Sequence, residues 1–430
     1  MTATRARRPR TVPVPKPRLT PAGMIKLAEG MRELLRSKQD DTERAARVLD
    51  DVHEECVANG FYRILQPRRF GGYEFDLPTF ARVAIEISRG CPSTGWSVIF
   101  TAGHTHVLAK FPEQAQIEVY GSDGEFRGPF VGSPGVAEPV EGGYTVTGQW
   151  DYASGIDVAT HFFASCAVNT EPRGPRESML VALLDRDQFE IEHNWEMLGM
   201  QGSGSHRVIA KDVFVPEHRT SRRAAFSPAG PEPGGPGASE PRLYDNPMYL
   251  GPSGNILMAE IAAVAIGTGY GALDCYEEIL KSRTMPFARD RKRAEEREFQ
   301  VYFGNAMATL DTAKAALLGC TQQFMDYCKD EVDGKDRFTP EKSARIVLVE
   351  QQCCRLAGEA IDLLFRRSGS SEAKPGRMMQ RYYRDISTLL THVSLSYDRN
   401  YEQVAKTHLG IETPPPGTGS AEAAGKSVVP

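Results

Sequence analysis

Two histidines stand two positions apart in GWSVIFTAGHTH, residues 95–106. In a strand His104 and His106 would share a face and could chelate one metal. In a helix they would diverge by about 200°. The segment is rich in Ala, Val, Ile and Phe, lacks strict alternation and outruns an ordinary strand. It reads as a helix, so the two imidazoles part. No H-x-x-x-H or H-E-x-x-H spacing supplies further ligands, and no metal site is expected. No G-x-S-x-G elbow offers a hydrolase nucleophile.

A more specific set of residues is spread along the chain. Trp96 and His104, eight apart, fall on broadly the same side of a helix. WDYASG (150–155) puts Trp150 and Ser154 at the end of a strand. GMQGSGSHRV (199–208) carries Gly202, Ser203 and Ser205 in a loop that enters the next strand. In RDISTLLTH, Asp385 and His392 are seven apart, which predicts one face of the last helix. Rings, small hydroxyls, backbone-exposing glycines and two histidines suit a flat, partly apolar cofactor with polar edges. These residues alone do not name it. Each also has an ordinary reading: a packed Trp, a turn Gly, a hydrogen-bonded His.

Those residues need elements to hold them. Residues 19–126 read as helical, with a break near Cys91–Pro92 and a short helix from Pro112 closed by Gly121. From 127 to 219 the texture is β. After the Glu141-Gly142-Gly143 turn, Tyr144, Val146, Gly148, Trp150 and Tyr152 alternate with polar residues. Residues 220–254 form a Pro/Gly-rich loop of a length usually reserved for function or disorder. Residues 255–410 carry four helical stretches with short breaks, the pattern of an antiparallel four-helix bundle. The basic, Pro-rich tail 1–18 and the low-complexity tail 411–430 are expected to be disordered. Helices, then strands, then helices argue for an α+β fold and against a parallel α/β sheet.

Composition narrows the function. The 430 residues are 40% hydrophobic and 25% charged, with a net charge of -5. That is a soluble globular balance with no electrostatic reason to bind nucleic acid. No segment is expected to span a membrane. The eight cysteines lack metal-ligand spacing, and the chain shows no secretory leader, so a cytoplasmic setting with reduced thiols is expected. SAEAAGKS (420–427) lacks the first glycine of a P-loop, and GTGYGA (267–272) sits inside a helical pattern with no strand before it.

Together GWSVIFTAGHTH, YTVTGQWDYASGID, LGMQGSGS, DVFVPE and RDISTLLTH resemble the acyl-CoA dehydrogenase superfamily over about residues 20–410. The resemblance implies an N-terminal helical domain, a central β-barrel domain and a C-terminal four-helix bundle, assembled as a homotetramer. Dehydrogenases of this family often carry a catalytic Glu in a Tyr-Glu-Gly-Thr motif. The sequence has no Tyr-Glu-Gly, and His392 stands near that place. The chain is more similar to the oxygenase components of two-component, reduced-flavin-dependent aromatic monooxygenases. That likeness implies FMNH2 or FADH2 delivered by a separate NAD(P)H:flavin reductase, with O2 as cosubstrate. It further implies hydroxylation of a phenolic or polycyclic aromatic through a C4a-hydroperoxyflavin.

By the same resemblance His392 is the base toward the phenol, and His104 the histidine beside the activated flavin. Trp96 and Trp150 pack near the cofactor. Ser133, Ser154, Gly202, Ser203 and Ser205 contact it. His106 and Asp385 border the substrate. Arg289 or Arg293 of a neighbouring subunit reaches a flavin phosphate. An N-hydroxylase or S-oxygenase of the same fold, an acyl-CoA dehydrogenase and a non-catalytic flavin-binding relative are the alternatives.

Overall fold

The computed structural model describes residues 12–121, 123–168, 179–222, 243–285 and 288–411. Most of both expected tails, the P-loop-like 420–427 and residues 223–242 of the expected loop lie outside them.

Among the described residues seven α-helices come first: α1 (Pro21–Ser37), α2 (Gln39–Ala45), α3 (Asp50–Asn59), α4 (Leu77–Gly90), α5 (Pro92–Gly103), α6 (Thr105–Leu108) and α7 (Glu113–Tyr120). Their ends follow local chemistry. The Thr20 and Asp76 side chains accept the backbone N–H of Gly23 and Thr79, capping α1 and α4. Cys91 is extended because the residue before a proline avoids the helical region, and Pro92 then starts α5. The run 95–106 is therefore helical, as expected, with a junction at His104 between α5 and α6.

The described residues of the β region form one seven-stranded sheet. Its strands are β1 (Phe130–Val140), β2 (Gly143–Ala153), β3 (His161–Val168), β4 (Met179–Asp185), β5 (Glu190–Glu192), β6 (His206–Pro216) and β7 (Thr220–Arg222). Their order is β5-β6-β2-β1-β3-β4-β7, and only β1 and β3 pair in parallel. One face closes over Trp150, Phe162 and Val208. On the other, Phe163, Val181 and Leu183 pack on Val107, Phe111 and Tyr120 from the helical layer. Burial of both faces explains why β3 and β4 read as continuous apolar runs rather than alternating ones. The expected loop from 220 begins as strand, since Thr220–Arg222 pairs with β4.

The remaining helices are α8 (Ser253–Ser282), α9 (Arg297–Val332), α10 (Pro340–Ser368), α11 (Met378–Leu389) and α12 (Tyr397–His408). Contrary to the sequence expectation, α8 is long and apolar enough to cross a membrane. However, 94% of its apolar stretch is buried inside the protein, where it packs on α4, α9 and α10. Its all-round apolarity is that of a central core helix. All eight cysteines are free and buried.

The last expected helix is two helices. α11 stops at Leu389, and His392 lies in the break rather than on a helical face with Asp385. Hydroxyl and imidazole groups there bond to nearby backbone: Thr391 to Thr388 O, Ser394 N–H to His392 Nδ1, Ser396 to Val393 O. Such local bonds compete with the helical ladder and end it.

Candidate active site

The site is built on α5. Trp96 stacks on Phe100 one turn later, at 4.1 Å between ring centroids. His392 meets the Trp96 indole edge-on at 5.5 Å, and His104 meets Phe100 at 6.0 Å. The four rings form a file, His392–Trp96–Phe100–His104. The fold thus brings both ends of the chain to one wall. The two histidines are linked through the rings between them.

A hydroxyl chain runs along the polar side of this wall. The Trp96 indole N–H donates to Ser154 Oγ at 2.7 Å. Ser154 Oγ lies 2.8 Å from Ser205 Oγ, which lies 2.7 Å from Ser203 Oγ. The Ser203 carbonyl in turn accepts from Ser97 Oγ at 2.6 Å and from Gly155 N–H at 3.0 Å. These bonds sew α5, the end of β2 and the 199–205 loop together. Ser154 is half-buried, at the open end of the chain.

The 199–205 loop is fixed from behind. Asp385 Oδ1 accepts the Met200 N–H at 2.6 Å, and Arg384 donates to the Leu198 carbonyl at 2.7 Å. Gly199 lies so close to the α11 backbone that a Cβ would stand 2.1 Å from Arg384 O. A Cβ on Gly202 would stand 2.4 Å from the Thr42 side chain. Gly202 is thus explained by close packing on α2. Asp385 is buried and serves the loop rather than a substrate wall. Burial raises its carboxyl to about 6.

The two histidines of the file differ in polarity. His104 Nδ1 lies 2.8 Å from the Gly128 carbonyl, an acceptor, so Nδ1 carries the proton and Nε2 the lone pair. His392 Nδ1 instead accepts the Ser394 N–H at 3.2 Å, so its ring proton sits on Nε2. Burial pushes both rings down to about 4, so both are neutral near pH 7.

Other expected positions move. His106 is fully buried and does not line an accessible pocket. Its Nε2 reaches the Met248 carbonyl at 3.0 Å and its Nδ1 the Ser253 hydroxyl at 2.9 Å, anchoring the start of α8. Trp150 is no cofactor wall. It fills the sheet core, donates to the Ser165 carbonyl at 2.9 Å and needs Gly135 and Gly148 to clear its ring. Period-2 alternation placed its strand but could not say which face met the helices. Ser133 is exposed at the β1 irregularity between Val131 and Gly135. Arg293 is engaged in its own bundle, donating to Ser368 O at 2.9 Å, while Arg289 is exposed. Phe100 and Ser97 were not foreseen. Phe100 was legible as the i+4 neighbour of Trp96; nothing local marked Ser97.

The residues fit the flavin that the sequence resemblance implies. Ser154 accepts from Trp96, and the hydroxyl chain behind it can run in either direction. Ser154 therefore offers either a lone pair or a proton, matching the protonated N5 of a reduced flavin and the bare N5 of an oxidised one. Trp96, Ser154 and Ser205 would hold its edge, and the flavin would supply the electrons that activate oxygen.

Comparison with known proteins identifies the family. Residues 26–122 match the profile described as acyl-CoA dehydrogenase, N-terminal domain, and residues 259–397 that of the C-terminal domain. The chain is 30% identical over 381 residues to a pigment production hydroxylase of a Rhodococcus species, covering 87% of this chain and 93% of the relative. It is 27% identical over 390 residues to the oxygenase component of an FADH2-dependent resorcinol hydroxylase of a Rhizobium species, covering 89% and 93%. The crystal structure of 3-HSA hydroxylase from Rhodococcus sp. RHA1 is similar at a TM-score of 0.81 and 29% identity, covering 91% of this chain and 98% of that one. The chain belongs to the acyl-CoA dehydrogenase superfamily, in its branch of reduced-flavin-dependent monooxygenases.

Proposed function

We propose that this chain is the oxygenase component of a two-component system that hydroxylates a phenolic aromatic, with reduced flavin supplied by a separate reductase. The observation that carries the reading is the ring file with a neutral histidine at each end, one offering a lone pair and the other a proton. The FADH2-dependent resorcinol hydroxylase relative supports both the cofactor and a phenolic substrate. Apolar surface flanks the site: Tyr152, two residues before Ser154, is 46% exposed, and Val393, beside His392, is 77% exposed. Such a surface suits a substrate wider than one ring.

The part proposed here for His392 differs from that of a base. Moving a proton from a phenol of pKa about 10 to an imidazole of pKa about 4 costs about 8 kcal/mol. An Nε2–H donated to the developing phenolate oxygen avoids that cost. We therefore assign His392 as the donor that stabilises the phenolate, and His104 Nε2 as an acceptor for a protonated oxygen or nitrogen at the other end of the file. Arg289 is the better of the two arginines for a cofactor phosphate. Exposed Val301, Met307 and Val349 on α9 and α10 support contact with further copies of the chain.

The test supplies a flavin reductase, NADH, 18O2 and a panel of phenols and naphthols. One 18O per product is expected. Hydrogen peroxide alone from every phenol, with an amine or sulfide oxygenated instead, would sink the phenol reading. Removing a donor to a developing oxyanion costs about 10²–10³ in rate, so His392→Ala should lose that much. His392→Gln, which keeps an N–H, should recover part of it. Equal loss in both variants, with an acid limb near pH 4, would restore the base.

A further inference from the structure

Outside the ring file, three metal-ligating side chains converge at the edge of the sheet. Asp157 lies in the turn after Ser154, His193 follows β5, and His206 opens β6. The pairing of β5 with β6, in which Glu192 opposes Arg207, sets the two histidines beside each other with ring centroids 4.4 Å apart. Asp157 Oδ1 lies 2.8 Å from His193 Nε2, and Oδ2 lies 3.6 Å from His206 Nε2. One ligand atom from each residue falls within 4.8 Å of the others.

We propose that Asp157, His193 and His206 form a binding site for a divalent transition metal of the zinc class. Two imidazoles and one carboxylate, with a fourth position left to water, are a donor set such ions take. One buried atom at the site lacks any hydrogen-bond partner, Asp157 Oδ2, while the His206 ring bonds to the Ala46 backbone and turns Nε2 toward Asp157. Asp157 Oδ2 stands too far from His206 for a hydrogen bond and at a spacing a shared ion would close. Gly204 keeps the approach free, since a Cβ there would stand 2.9 Å from Asp157 Oδ2. The nearby Arg47 guanidinium hydrogen-bonds Asp50 at 2.6 Å and attracts Asp157 only through space. His193 is mostly exposed and gives the ion a way in.

The site has a consequence for the hydroxyl chain. Ser154 lies three residues before Asp157, and Ser205 immediately precedes His206. An ion held by Asp157 and His206 would tie together the two segments whose serines meet at 2.8 Å. The metal is therefore a brace for the polar edge of the ring wall, and it takes no part in electron transfer.

The experiment titrates the flavin-free full chain with zinc chloride by calorimetry and follows its melting temperature. We expect one zinc per chain and a rise in melting temperature at saturation. His193→Ala, at an exposed position outside the ring file, should fold normally and lose both effects. A crystal soaked in zinc should show an anomalous peak between the three residues. Zinc binding that survives unchanged in His193→Ala, or no stoichiometric binding, overturns the site. Neither result depends on flavin or on turnover, so the monooxygenase reading stands or falls separately.

Discussion

Asp385 gives the sharpest test of how the loop under the ring wall is held. It is 3% exposed, and it accepts the Met200 N–H at 2.6 Å. Burial raises its pKa from 3.8 to about 6, a difference on the order of 3 kcal/mol between its two protonation states. Below pH 3.8 the carboxyl is protonated in both folded and unfolded chains, and its full contribution to stability is present. Between 3.8 and 6 the unfolded chain has released the proton while the folded chain keeps it, so stability falls as pH rises. Above 6 that contribution is gone. Asp385→Asn keeps the acceptor and fixes the neutral form.

The melting temperatures of parent and Asp385→Asn should therefore diverge in favour of the variant from pH 4 to pH 7, and then run level. Taking the difference cancels every other titrating group. Asp385→Ala should show an added loss of about 1–3 kcal/mol at all pH values, because the buried Met200 N–H then has no acceptor. It should also weaken binding of reduced flavin, because Ser203 and Ser205 sit on the released loop. A parent–Asn difference flat from pH 4 to 8 would refute the raised pKa. Unchanged flavin affinity in the Ala variant would refute the link to the site.

Three further outcomes follow from the same contacts. Ser154→Ala removes the acceptor of the largely buried Trp96 N–H, so it should destabilise the chain by about 1–3 kcal/mol and loosen flavin binding; an unchanged unfolding midpoint would contradict the hydroxyl chain. Glu260 is fully buried on α8 with both oxygens unpartnered, and burial raises its carboxyl well above the usual range. It keeps its proton when folded while the unfolded chain ionises, so Glu260→Gln should become progressively more stabilising as pH rises, read from melting curves at pH 5 and 8. Gly103→Ala would drive a Cβ to 1.6 Å from Glu260 Oε1, so it should cost about 1–3 kcal/mol or more by overpacking. Glu260→Ala in the same chain should relieve that loss, and no relief would mean that the two groups do not meet.

Much of the architecture is local and was readable in the sequence. Period-2 alternation marked β2, proline and glycine punctuated α4, α5 and α7, and runs of helical pattern marked α8 to α10. Trp96, His104 and Ser154 were picked out by type and spacing, and the fold does gather them on one wall. The break at His392 was missed because helical spacing extends through it. What ends the helix is a set of side-chain bonds to nearby backbone that no periodicity records. Hydrophobic pattern tells that a residue is inside, not which of two insides, so Trp150 was placed at the cofactor when it fills the sheet core. His106 and Asp385 were placed beside the substrate by the family resemblance. Their partners, Met248 and Ser253 for one and Met200 for the other, come from distant parts of the chain.

The sequence by itself determined the family, the order of helical and β regions, and which residue types could meet a flat redox cofactor. Only the folded structure decided where each proton sits. A histidine's tautomer is set by the one group facing its other nitrogen: Gly128 across 24 positions for His104, and a backbone N–H exposed by a broken helix for His392. Those contacts make one ring an acceptor and the other a donor; the first is long-range, and the second is a local bond that exists only because the helix breaks there.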